Sequence, residues 1–235
     1  LVLTILVTIS FFINADEIQL ADSHGPISIM GDHMHKKGEF MFSYRFGKMN
    51  MNNVANGTKK IDTNSVMSSP NGASNNLGNY MNAPISMKMN MHMFGGMYAP
   101  SDNLTFMIMT SYQEKVMTQQ RMPMAGSSRF DVNSSGFSDT RISTLINIFN
   151  NDRIKTLFGT GLSLPTGSID QRDTTPASSN TRLGYSMQNG TGTYDLLFFL
   201  NNINKIGRFK IGEQLLYKKA LSGKNSKNYQ YGDVF

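Results

Sequence analysis

Soft-metal ligands crowd one part of the sequence: His33, Met34 and His35 are consecutive, and Met49, Met51, the ladder Met87, Met89, Met91 and Met93 with His92, and the pair Met122 and Met124 follow. Imidazole and thioether groups suit Cu(I) or Ag(I). His33, Met34 and His35 are therefore the candidate metal site, and a copper- or silver-handling envelope protein is one reading. Hydrolysis is another, because an outer-membrane lipase needs a Ser nucleophile beside a positioned His base. His92 with Ser86 or Ser111 is the arrangement available, although no Gly-x-Ser-x-Gly occurs. The absence of Cys excludes thiol nucleophiles, thiolate zinc sites and disulfide scaffolds, and no phosphate loop or dinucleotide fingerprint is present. A third set is charged: Arg45, Lys88, Arg141, Lys155 and Lys210, with His92, against Asp139 and Asp195.

What could bring that third set together is alternation. Residues 85–97 place Ile85, Met87, Met89, Met91, Met93 and Met97 on one side and Ser86, Lys88, Asn90, His92 and Phe94 on the other, the period of a β-strand. Residues 39–51 oppose Phe40, Phe42, Tyr44 and Phe46 to Met41, Ser43, Arg45 and Gly47; residues 104–113 oppose Leu104, Phe106, Ile108 and Tyr112 to Thr105, two Met and Ser111. The pattern returns in 137–149 (Ile142, Ile146 and Ile148 against Asp139, Arg141 and Ser143), 154–164, 193–203 and 209–217, and an eighth strand starts at Tyr229. Strands of about ten residues match tilted transmembrane strands. The connections 52–84, 114–135 and 165–192 are long, whereas 99–103, 150–153 and 204–208 are short, the parity of an outer-membrane barrel with short periplasmic turns. With the Met ladder taken as lipid-facing, the lumen carries Arg45, Lys88, His92, Asp139, Arg141, Lys155, Asp195 and Lys210. That face is net basic and favours anions, unless Arg141 merely neutralises Asp139 two residues away.

Composition agrees. Only 16% of the 235 residues are charged, against about 25% in soluble domains. The net charge of +6 comes from scattered Lys and Arg with no nucleic-acid module, so nucleic acid is not expected as a partner. Residues 1–13 form an uncharged apolar run too short for a helical span of about 20 residues and suited to the h-region of a secretory signal. The expected organisation is a truncated signal peptide at 1–15, an N-terminal periplasmic segment at 16–38, and a C-terminally incomplete barrel at 39–235.

Three segments resemble a family: the run from His24 through His33, His35 and Gly38 to Glu39; the run Met91-His92-Met93-Phe94-Gly95-Gly96-Met97-Tyr98-Ala99-Pro100; and Leu162-Ser163-Leu164-Pro165-Thr166-Gly167 to Asp170, with Thr181 to Leu183 and Gly192 to Asp195 after it. In that order they are similar to outer-membrane proteins classed as transporters of the phenol-degradation meta-pathway type. The resemblance implies an outer-membrane β-barrel with a transport role, and further strands beyond residue 235. The reading is an all-β, antiparallel up-and-down barrel of seven strands and the start of an eighth, a porin-like transporter of the Gram-negative outer membrane without enzymatic chemistry. Its expected partners are lipid, a small solute and the barrel-assembly machinery.

Overall fold

The computed structural model describes residues 31, 33–71, 78–122, 128–151 and 153–234, with the side chain of Lys210 excluded. The expected signal peptide, Met30, Met124 and Phe235 lie outside the described residues. In chain order the elements are β1 (Phe40–Asn52), β2 (Val54–Asn56), β3 (Lys59–Ile61), α1 (Thr63–Met67), β4 (Asn82–Ser101), β5 (Leu104–Arg121), β6 (Arg129–Phe137), β7 (Thr140–Asn150), β8 (Ile154–Leu164), β9 (Arg172–Thr175), β10 (Ser178–Arg182), a 3-10 turn (Tyr185–Met187), β11 (Asp195–Ile206) and β12 (Phe209–Ala220). The main sheet is antiparallel in the order β1-β4-β5-β7-β8-β11-β12, with β6 also against β5. Each strand pairs with the next long strand in sequence, the up-and-down topology read from the alternation. The sheet curls into a half-barrel, and residues from β4, β5, β7, β8 and β12 border one common space.

β6 and β7 act as one strand with a bulge. Three steps along β5, from Met109 to Tyr112, face four along the partner, from Arg141 to Phe137. The extra residue at Ser138-Asp139 resets the alternation, so that Phe137 and Ile142 both point to the convex side. Turns close the short end: β11 meets β12 through Gly207-Arg208, where Gly207 has φ 61° as the first of two turn residues, a position that favours Gly. The start of an eighth strand is marked by a bridge in which Lys218 and Val234 exchange both backbone hydrogen bonds.

The two faces of the sheet differ as expected on six strands and not on β4. The convex face exposes Phe40, Phe42, Tyr44 and Phe46 of β1, Phe106 and Ile108 of β5, Ile142 and Ile146 of β7, Leu162 of β8, Leu200 of β11 and Phe209, Ile211 and Leu215 of β12. On β4 the faces are reversed. Directly opposed residues share a face, and the register pairs Phe40 with Tyr98, Tyr44 with Phe94 and Phe46 with His92. Lys88, Asn90 and His92 are therefore convex, and Met87, Met89, Met91, Met93 and Met97 are concave. The aromatic pairs decide the sign: Phe40 stacks on Tyr98 at 4.4 Å, and the phenol of Tyr44 hydrogen-bonds to Nδ1 of His92 at 2.8 Å.

Connections expected to be loops are partly strand. The segment 114–135 is mostly β5 and β6, which leaves 122–128 between them, and 165–194 holds β9, β10 and the 3-10 turn. That segment folds back over the concave side. Met187 is fully buried with Leu183 against Met117 and Val132. Among the described residues, no helix is long and apolar enough to cross a membrane.

Candidate functional site

The concave side carries an open cavity of about 490 Å³ between the sheet and residues 185–191. Alternation builds its wall: Met91 and Met93 from β4, Met109, Ser111, Gln113 and Lys115 from β5, Arg141 from β7, Ser163 from β8 and Lys218 from β12. Its roof is made by Tyr185, Gln188, Asn189, Gly190 and Thr191, with Tyr231 beside them.

The roof is held by charged anchors. The bulge turns Asp139 toward the loop, where one carboxylate oxygen accepts from the Gly167 N–H at 2.9 Å and the other from the Thr191 N–H and hydroxyl, both at 2.8 Å. Charged acceptors of this kind give hydrogen bonds worth about 1.5–3 kcal/mol each. Gly167 and Gly190 cross so closely that a Cβ on either would meet the other's backbone inside van der Waals contact. Lys115, 6% exposed, donates to the carbonyls of Gln188 at 2.6 Å and Ser186 at 3.3 Å. Lys218 pairs with Asp195 at 3.1 Å, and Asp195 also accepts from the Thr193 hydroxyl at 2.7 Å.

Arg141 is different. Among the described residues it has no hydrogen-bond or ion-pair partner, because the carboxylate of Asp139 is committed to the loop. The expected neutralisation of Arg141 by Asp139 is therefore not what the bulge produces. Asn189, 6% exposed, also lacks a partner among the described residues for either carboxamide atom.

At the edge of the roof, Tyr185 stacks on Tyr229 and both meet Tyr231 edge-on, whose hydroxyl donates to the Tyr185 carbonyl at 3.0 Å. Burial first, then the neighbouring Tyr229, Asp139 and Tyr185, pushes the Tyr231 phenol up to about 12. On the outer rim Asp170 gathers Arg172 at 3.2 Å, Arg182 at 3.6 Å and Lys227 at 3.7 Å. The Arg172 hydrogen bond, with the charge of all three cations, holds its carboxyl below the usual Asp range.

Of the lumen set read from the sequence, Asp139, Arg141 and Asp195 come together here. Arg45 and Lys155 are concave by register, opposite Met93 and Ile203, and the side chain of Lys210 lies outside the described residues. Lys88 and His92 are corrected to the convex face. Ser111 lies on the concave face opposite Met93, so His92 and Ser111 stand on opposite sides of the sheet. Ser86 is six residues along from His92, about 20 Å on an extended strand. The expected lipase pairing thus has no geometry.

His33 and His35 do meet, with ring centroids 4.9 Å apart, but Met34 between them packs into the apolar cluster of Met97, Met107, Leu145 and Phe199. Among the described residues, no group of three His, Cys, Asp or Glu is placed to hold a metal ion. Lys115, Lys218, Asn189 and Tyr231 were missed by the sequence reading. Lys115 had a signal, since it continues the alternation of Thr105, Met107, Met109 and Ser111 into the segment taken for a loop.

In comparisons with known proteins, no family model matches the chain, and no curated protein and no solved structure matches it either.

Proposed function

We propose that this chain is a β-barrel protein of the Gram-negative outer membrane that passes small solutes, with preference for anions, along its concave side. The observation that carries the reading is the division of one sheet into a convex face rich in exposed aromatic and branched apolar residues and a concave face on which charged, hydroxyl and Met side chains border an open cavity. Contiguous exposed apolar surface on this scale is foreign to soluble monomers, whereas an outward apolar band over a polar interior is the layout of membrane barrels. The charge balance supports anions: Arg45, Lys115, Arg141, Lys155 and Lys218 are concave, against Asp139 and Asp195. The three segments similar to outer-membrane transporters point the same way.

The chain has no Trp, which makes the test direct. With Ile108→Trp, fluorescence in vesicles of brominated phospholipid is quenched; with Met93→Trp it is not. The full chain in planar bilayers gives unitary conductance with an anion-selective reversal potential. Quenching at neither position, or insertion without conductance, overturns the proposal.

A further inference from the structure

We propose that the cavity is a binding site for an organic monoanion with a short apolar body, its acid group held by Arg141 and its carbon chain by the thioethers of Met91, Met93 and Met109. The inference deepens the solute-passing reading and rests on it. Three cations border the cavity, and two are committed: Lys218 to Asp195 and Lys115 to two roof carbonyls. Only Arg141 presents a guanidinium without a partner among the described residues, and its planar fork suits a carboxylate or sulfonate.

The composition of the wall is the second observation: one uncommitted cation beside Met91, Met93 and Met109 matches a single negative charge joined to an apolar body.

The remaining wall is thioether. Methionine is apolar, polarizable and adaptable, so the site offers hydrophobic contact where a simple ion path would be lined with charge. The volume, about 490 Å³, falls within the range of about 300–1,000 Å³ usual for small-molecule sites.

The test uses the full chain in zwitterionic detergent with methyl-labelled methionine, the Met91, Met93 and Met109 signals being assigned by single Met→Leu variants. Sodium hexanoate shifts those three signals saturably and leaves that of Met67, buried at the end of α1, in place. Acetate, which lacks the body, and adipate, which brings a second carboxylate against the thioethers, bind at least about tenfold more weakly, and hexylammonium does not bind. Arg141→Gln weakens hexanoate by at least about tenfold, the loss of a charge-assisted hydrogen bond.

Arg141→Lys separates charge from structure: it keeps a cation on the same wall and retains hexanoate better than Arg141→Gln, while the denaturation midpoint is the same in both. Equal shifts with hexylammonium, or unchanged affinity in Arg141→Gln, overturn the site. Conductance without hexanoate binding leaves the channel reading standing and removes this one. Binding without conductance does the reverse.

Discussion

Two segments enter the concave side, and burial and polar bonds hold them in different proportions. Residues 31 and 33–38 run from mid-sheet to the short turns. Gly31 lies against Leu145 and Phe199 and gives its carbonyl to Asn201, Met34 joins the apolar cluster, and Gly38 and Lys37 bond to Ala99 and Asp102 beside the turn. At the other end residues 165–192 are fixed by Asp139, Lys115 and the network around Thr191. At mid-sheet the first segment is retained chiefly by burial, with hydrogen bonds toward the turn, whereas the second adds to the burial of Leu183 and Met187 a clasp of charge-assisted bonds to Lys115 and Asp139. Burial depends on volume; the clasp depends on charge state and on individual atoms. The mid-sheet contact therefore yields only with the fold, while the clasp can be unfastened by itself.

The largest expected effect breaks the dry end. Leu145 is fully buried, and Leu145→Ala lowers stability by about 2–5 kcal/mol through lost burial and a cavity, read as a shifted denaturant midpoint in lipid vesicles. Gly159→Leu acts at the same place by overfilling, since an added Cβ would overlap the Phe199 ring, and costs about 1–3 kcal/mol. A midpoint that stays put in both variants would mean that this end is not packed.

Asp139→Asn addresses the polar end. It puts an amide donor where Thr191 presents two donors, and the local loss of about 1–3 kcal/mol appears as roughly 5- to 150-fold faster amide exchange at Gly167 and Thr191. The global midpoint stays near that of the unaltered chain. If it falls as far as for Leu145→Ala, the loop and the sheet are one cooperative unit and the contrast fails.

The smallest effects come from pH, and Tyr231 and Asp170 place them at the second segment. The Tyr231 phenol is raised in the folded chain, so its contribution is complete below the ordinary Tyr value and is lost as pH rises through about 12. Asp170 is depressed, so its contribution is present above the ordinary Asp value and is lost as pH falls through the lower folded one. Phenolate absorbance and proteolysis within 172–182 follow these steps, while the Met34 environment does not change. A Met34 response at either extreme would couple the two ends.

The strands were legible because alternation needs only apolar and polar residues at a period of two, and β1, β5, β7, β8, β11 and β12 show it with aromatic or branched residues on one side. On β4 both sides offered a credible apolar set, Met on one and Phe94 with Tyr98 on the other. The sign then depended on which face pairs with Phe40, Phe42 and Tyr44, and that is a property of register rather than of the strand's own residues. The bulge at Ser138-Asp139 leaves the composition of its segment unchanged, so it kept Asp139 and Arg141 apparently partnered. The inward fold of 165–192 is carried by bonds between residues distant in sequence, which periodicity does not record.

Those distant bonds set an order of events. Every long strand closes on its sequence neighbour, so the sheet can zip from one hairpin to the next, each hairpin starting at its nearest-paired residues. Two bonds of the clasp span far more than any strand pairing begins with: 73 residues separate Lys115 from Gln188 and 52 separate Asp139 from Thr191. Such closures carry the larger entropic toll and follow the local ones. Lys115 thus stays hydrated in an open trough until the loop arrives, and the chamber with its unpaired guanidinium takes shape only in the last act of assembly.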